Sequence, residues 1–243
     1  MIPLEVQLLI AILLDTLIGD PQWWPHPVRL IGALAVFLEN HARKSIDNET
    51  IAGLLTAFMT VAVTGAVTLT LVIVGYLLNP LLGAAVSIFI MYTGMAARDL
   101  AKHAGSVQDA LESGDLSLAR ERVAMICGRD TNTLDTRGVV RATVESVAEN
   151  TVDGVTAPLL YGVIGGPVGV MVYKAISTLD STFGYRNERY GRFGWASAKL
   201  DDIAAFLPSR ITSLLVPCAA WILGMNSRGA QIPGIVKPLS PAL

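Results

Sequence analysis

The chain has 243 residues, 52% of them hydrophobic and 16% charged, with a formal net charge of −2. An average soluble domain carries about 25% charged residues, and the mean hydropathy here is +0.53. These values exclude a disordered chain and a nucleic-acid binder built on basic charge, and they argue against an ordinary soluble enzyme.

Met1 to Ile18 is apolar apart from Glu5 and Asp15, and the first cation is Arg29. A secretory signal needs a positive start and a small-residue cleavage site, so residues 1–19 read as a membrane span. A carboxylate inside such a span is costly and faces protein or a polar cavity. Asp15 is therefore a candidate site residue or a group at the membrane edge. Gly19-Asp20-Pro21 leads into Trp23-Trp24-Pro25-His26-Pro27. Paired tryptophans suit a membrane interface, and His26 reads as a hydrogen-bonding loop residue or a substrate contact.

From Ile51 to Ala97 there is no charged residue and no histidine. At about 20 residues per span this length holds two helices, and Asn79-Pro80 falls where a turn belongs. The pattern predicts a hairpin of spans 51–78 and 81–97 without polar faces. Residues 155–180 are apolar but divided by Gly165-Gly166-Pro167. A re-entrant helical pair and a single kinked span both fit, since non-helical backbone at membrane depth must be buried in protein or line a cavity. The last candidate span is 203–224, interrupted by Pro208, Arg210 and Pro217.

The expected fold is an all-α, polytopic integral membrane protein with a re-entrant or kinked segment. It is read as one membrane domain over 1–243, with 98–154 as a cytoplasmic helical insertion. Candidate spans are 1–19, 51–78, 81–97, 155–178 and 203–224. Cations cluster at Arg43 and Lys44, in 98–154, and at Arg186, Arg189, Arg192 and Lys199. The positive-inside rule assigns all three regions to the cytoplasm. Cys127 and Cys218 form no metal-type motif.

The densest polar stretch is Cys127 to Gly154. Gly128 reads as the end of one helix and Asp135 as the cap of the next. Arg129, Asp130 and Asn132 have no such local duty. Arg141, Glu145, Glu149 and Asp153 follow at steps of four, opposite an apolar stripe. Successive carboxylates repel by a few tenths of a kcal/mol per pair, a cost that a bound divalent cation offsets. A solvated helix face is the alternative. Lys174 and Asp180 bound the apolar run, as snorkelling and capping residues or as ligand contacts. Tyr185 to Trp195 interleaves basic and aromatic residues, which suits an anionic substrate or lipid headgroups. No phosphate loop, dinucleotide fingerprint or nucleophile elbow is present.

Three stretches resemble one family in order: Asp15 to Gly32 (DTLIGDPQWWPHPVRLIG), Gly128 to Gly154 (GRDTNTLDTRGVVRATVESVAENTVDG) and Pro158 to Asp202. They are similar to the CbiB/CobD membrane proteins of cobalamin biosynthesis, adenosylcobinamide-phosphate synthase. The family pattern runs on past Leu243 through an SPN-type segment and a glycine-rich end, so this chain reads as a C-terminally shortened or divergent member. The resemblance implies a multi-pass protein of the bacterial inner membrane. It implies an ATP-dependent amide ligase that joins an amino alcohol, usually aminopropanol phosphate, to a carboxyl of adenosylcobyric acid. Its implied partners are those substrates, the bilayer, and a further copy or other cobalamin-assembly enzymes, with no nucleic acid.

On this resemblance Mg²⁺ is assigned to Glu145, Glu149 and Asp153, proton acceptance to Asp20 or Asp130, and Glu149 is counted as catalytic through the metal it would hold. Substrate binding is assigned to His26, Arg129, Asn132, Arg137, Arg141, Lys174, Asp180 and Arg186. Arginine suits phosphate because its fork binds two oxygens at once. The corrin ring needs a wide pocket, expected between the Gly-Gly-Pro turn and residues 183–195. Two other readings are a membrane sensor like the AmpE protein of β-lactamase induction, and a Mg²⁺-using transporter or lipid-modifying enzyme.

Overall fold

The computed structural model describes residues 2–20, 26–128 and 130–222. Every regular element among them is helical: α1 (Leu4–Ile18), α2 (Pro27–Ser45), α3 (Glu49–Leu78), α4 (Pro80–Thr93), α5 (Ala97–Glu112), α6 (Leu116–Ala124), α7 (Thr136–Thr151), a π-helical turn (Val152–Thr156), α8 (Ala157–Phe183), α9 (Trp195–Ala204) and α10 (Phe206–Ile222). They form two compact units. Of the described residues, the first comprises those up to Arg98 with Val152–Ser209, and the second those of Asp99–Thr151 with 210–222. Among the described residues three helical runs pass for membrane spans by length and composition alone: Glu49–Leu78, Pro80–Glu112 and Thr136–Phe183. A bent pair, Trp195–Ala204 with Phe206–Ala219 at 47°, would make a fourth if it is one span.

Local chemistry sets the helix starts. Asn48 Oδ1 accepts from the amides of Thr50 and Ile51, at 3.0 and 3.2 Å. Asn79 does the same for Leu81, at 2.8 Å, with Pro80 at the first helical position. Each cap satisfies amides that the helix itself leaves unpaired.

Helix α3 exposes Leu54, Phe58, Leu69, Leu71, Ile73 and Leu77. That apolar surface suits lipid, not water. Its other face corrects the expectation of helices without polar sides. Thr56, Thr60, Thr64 and Thr68 recur at every fourth residue and are buried. Thr60 and Thr68 donate their hydroxyls to the carbonyls of Thr56 and Thr64, both at 2.8 Å. Those two hydroxyls, satisfied within their own helix, face protein at small cost, and a survey of charges misses the stripe.

Helix α8 is no straight span. Gly166 has φ 57° and ψ −146°, and Pro167 follows. A straight helix would separate Tyr161 from Tyr173 by about 18 Å, at 1.5 Å per residue. Their rings instead stack with centroids 5.1 Å apart. The chain therefore folds back at Gly166, and 157–183 is a helical hairpin, the re-entrant alternative. The halves meet at Gly169, where an ideal Cβ would lie 2.2 Å from the Tyr161 carbonyl oxygen.

The hairpin is held in an apolar core. Leu8, Ala11, Ile31, Ile90, Met91, Val170, Met171 and Ala175 form one cluster, and Ala35, Ala52, Ala57, Leu179, Phe183 and Phe193 another. In the second unit Val107, Ala110, Ala119, Val123, Val139 and Ala142 make a separate core.

Candidate functional site

Polar groups of the first unit gather around the second half of the α8 hairpin. The π turn places Asp153 opposite it. Asp153 Oδ1 accepts from Tyr173 Oη at 2.7 Å, and Oδ2 from Ser177 Oγ at 3.5 Å. Lys174 Nζ donates to the Asp153 carbonyl oxygen at 3.2 Å. A π turn shifts the helical hydrogen bonds from i+4 to i+5, which fits carbonyls turned to outside partners. The Gly154 carbonyl likewise accepts from the Ala96 amide at 2.9 Å.

Asp20 and His26 complete this group. His26 Nδ1 accepts from the Val28 amide at 3.2 Å, capping α2. Its Nε2 then carries the proton and points at Asp20 Oδ2, 3.4 Å away. The carboxylates whose fields act on Lys174 are Asp153 and Asp20. Lys174 acts on His26 in turn. On α9, Asp201 acts on both Tyr161 and Tyr173.

Burial is the largest influence on His26 and holds its pKa below the usual value. Lys174 and Arg29 add to that shift, while Asp20 and the Thr93 carbonyl oppose it. The neutral ring is the form that fits. The ring's contribution to stability is intact above about pH 6.5, the unfolded value, and is lost as pH falls through the lowered folded value. Melting in detergent between about pH 7.5 and 5 should show a Tm decline that His26→Asn reduces. An equal decline in the variant would remove His26 as its source.

Other predicted residues have different duties. Asp15 is 2% exposed, and its Oδ2 accepts from the Ala97 amide at 2.9 Å. Arg98 donates to the carbonyls of Thr16 and Leu17. Asp15 thus ties the end of α1 to the start of α5. Asp130 Oδ1 accepts from the amide and side chain of Asn132, at 3.0 and 2.9 Å, a local turn. Asp135 caps α7 through the Gly138 amide at 2.7 Å. Gly128 does not close α6, whose last residue is Ala124. Arg129 lies outside the described residues, and Arg137 is exposed. Asp180 accepts from the Gly184 amide through its backbone carbonyl, at 2.7 Å, where the helix ends.

The acidic stripe does not form a metal cluster. No group of three His, Cys, Asp or Glu side chains among the described residues is placed to hold a metal ion. Arg141 Nε occupies Glu145 Oε1 at 2.8 Å on an exposed face, Glu149 is exposed, and Asp153 is engaged by Tyr173. Steps of four advance about 40° around an α-helix each time, and the π turn breaks the phase again before Asp153.

A second polar cluster was not predicted. Glu39 is 1% exposed, and its Oε1 meets Arg43 Nε at 2.9 Å and Arg189 at 3.3 Å. Arg43 also donates to Glu49 Oε1 at 2.9 Å and to the Arg189 carbonyl at 2.8 Å, and lies 4.3 Å from the Phe193 ring centroid. The 185–195 loop is thereby fastened to α2. Tyr173 and Ser177 were also missed, although Tyr173, Ser177 and Ser181 make a polar stripe at steps of four inside the apolar run.

A cavity of about 650 Å³, mostly apolar, lies among α2, α3, α4 and α8, beside Leu34, Val67, Phe89 and Met171. A cavity of about 200 Å³ opens beside the 184–194 loop and α9. It is smaller than the roughly 300–1,000 Å³ that drug-sized ligands fill.

The family described as CobD/Cbib protein matches residues 8–233. The "Cobalamin biosynthesis protein CobD" of Pelobacter propionicus is 46% identical over 223 residues, covering 92% of this chain and 69% of that protein. Its namesake in Listeria monocytogenes serovar 1/2a is 44% identical, covering 93% and 72%. The "Cobalamin biosynthesis protein CbiB" of Salmonella typhi is 41% identical, covering 89% and 69%. No solved structure matches significantly. With its helical membrane-type architecture and these matches across nine-tenths of its length, the chain belongs to the CobD/CbiB family.

Proposed function

We propose that this protein acts in cobalamin biosynthesis by joining an amino alcohol phosphate to a carboxyl of adenosylcobyric acid, at the expense of ATP. The names of its relatives support the pathway over a sensor role. The observation that carries the reaction class is Lys174, set in an apolar helix beside Asp153 and within the field of Asp20. An ionisable group at that depth marks function by default.

A carboxylate does not react with an amine until activated, here as an acyl phosphate formed with release of ADP. The ammonium of the amino alcohol loses one proton to the Asp20 carboxylate. The amine attacks the acyl carbon, the bond to the phosphate oxygen breaks, and phosphate leaves with the electron pair. The second proton passes from the nitrogen to the departing phosphate as the amide forms. Lys174 offsets negative charge on the acyl oxygen and the departing phosphate. His26 is a positioning residue that aims Asp20 through its Nε2 proton. Mg²⁺ would travel with the nucleotide phosphates. Because the carboxylate stripe gathers no cluster, no step is assigned to a protein-held ion. The reading also sets the chain in the inner membrane with its basic loops in the cytoplasm, where ATP is available.

The test is one reaction. The chain in detergent receives adenosylcobyric acid, aminopropanol phosphate, ATP and Mg²⁺, and product is followed by mass spectrometry. The expected mass is that of the amide, and omission of ATP or Mg²⁺ should abolish it. A folded protein that makes no amide in the complete mixture overturns the ligase reading.

A further inference from the structure

The cavity beside α9 is small, yet two cations line it. Its walls are Tyr185, Arg186, Trp195, Lys199 and Asp202, with backbone at Gly184, Gly191 and Gly194. Lys199 Nζ is paired with Asp202 Oδ2 at 2.8 Å. Arg186 has no carboxylate partner among the described residues. The lining therefore keeps one uncompensated positive charge on a side chain whose fork matches two phosphate oxygens. The three glycines leave backbone, not side chains, along part of the wall. At about 200 Å³ the space suits a phosphoryl group with a short chain and excludes a macrocycle.

We infer that this cavity is a binding site for a phosphate monoester, held by Arg186 with support from Lys199. Aromatic walls at Tyr185 and Trp195 would shield the ligand's short apolar portion from water. Helix α9 links this cavity to the buried polar group: Ala198, Lys199 and Asp202 line the cavity, while Asp201 acts on Tyr161 and Tyr173. The inference rests on the ligation reading only in naming the small amino alcohol phosphate as the ligand. The same chemistry would hold the headgroup of phosphatidic acid.

The test is calorimetric titration of the full chain in phosphatidylcholine nanodiscs with inorganic phosphate, aminopropanol phosphate and aminopropanol. The two phosphate compounds should bind saturably and compete, and aminopropanol should not bind. Arg186→Gln and Lys199→Met should each weaken phosphate binding, Arg186→Gln by at least about tenfold, as expected for a charge-assisted contact. Both positions are on the surface, so circular dichroism should show unchanged helicity. Nanodiscs containing phosphatidic acid separate the sources. If that lipid blocks phosphate and co-purifies with the parent chain but not with Arg186→Gln, the site holds a headgroup. If phosphate still binds, the site serves a soluble ester. Phosphate affinity and lipid retention that are the same in the parent and both variants, or absent throughout, overturn the inference. Phosphate binding without ligation keeps this site and sinks the ligase reading. Ligation with phosphate affinity indifferent to Arg186 does the reverse.

Discussion

Lys174→Met is expected to lower amide formation by about 10²–10³-fold, the usual cost of losing one charge-stabilising group in a water-poor site. Methionine matches lysine in length and flexibility, so the α8 packing survives. Removing a charge from an apolar helix also lifts a desolvation cost, and the variant should melt at or above the parent temperature. The loss should fall on kcat more than on KM, because charge builds up during the reaction and not on binding. Lys174→Arg should rescue little, since the ammonium donates to the Asp153 carbonyl at 3.2 Å, a point-charge geometry. Turnover within a few-fold of the parent in a folded Lys174→Met protein would remove this residue from the mechanism.

Gly169→Ala is expected to cost about 1–3 kcal/mol, and more if the hairpin cannot yield, because overpacking forces backbone to move. An ideal Cβ at Gly169 would lie 2.2 Å from the Tyr161 carbonyl oxygen and 3.1 Å from its carbon. The obstacle is backbone, which has no rotamer to escape into. Spreading the halves would separate Tyr161 from Tyr173 and disturb the Tyr173 bond to Asp153. Thermal melting should therefore fall together with activity. Gly165→Ala is the control, since nothing lies within 4 Å of its Cβ position. Equal behaviour of the two variants would contradict the folded-back geometry.

Much of the membrane architecture was legible in the chain. The uncharged stretch from Ile51 to Ala97 needs lipid or protein on every side, and Asn79-Pro80 can cap and start a helix but cannot continue one. These are local properties. Asp135 as a cap was legible for the same reason, since a cap needs only its own next turn. The Gly165-Gly166-Pro167 break was visible as well, but whether the chain bent or reversed there depended on Gly169 meeting Tyr161, a contact between helix halves.

The site was less legible. The acidic stripe of α7 drew attention because its spacing is regular, yet spacing along one helix says nothing about what stands opposite it. Arg141 faces Glu145, and Tyr173 claims Asp153. The residues that gather do so from far apart in sequence: Asp20 and His26 before α2, Asp153 in the π turn, Tyr173 and Lys174 past the reversal, Asp201 on α9. Glu39 was missed because, on an amphipathic helix, a carboxylate that will be buried between two arginines reads the same as one that will face water. Composition and local patterning determined that the chain is a helical membrane protein and where its helices begin. Tertiary structure decided which polar groups meet, because burial and pairing of charge depend on neighbours that only the packed bundle supplies.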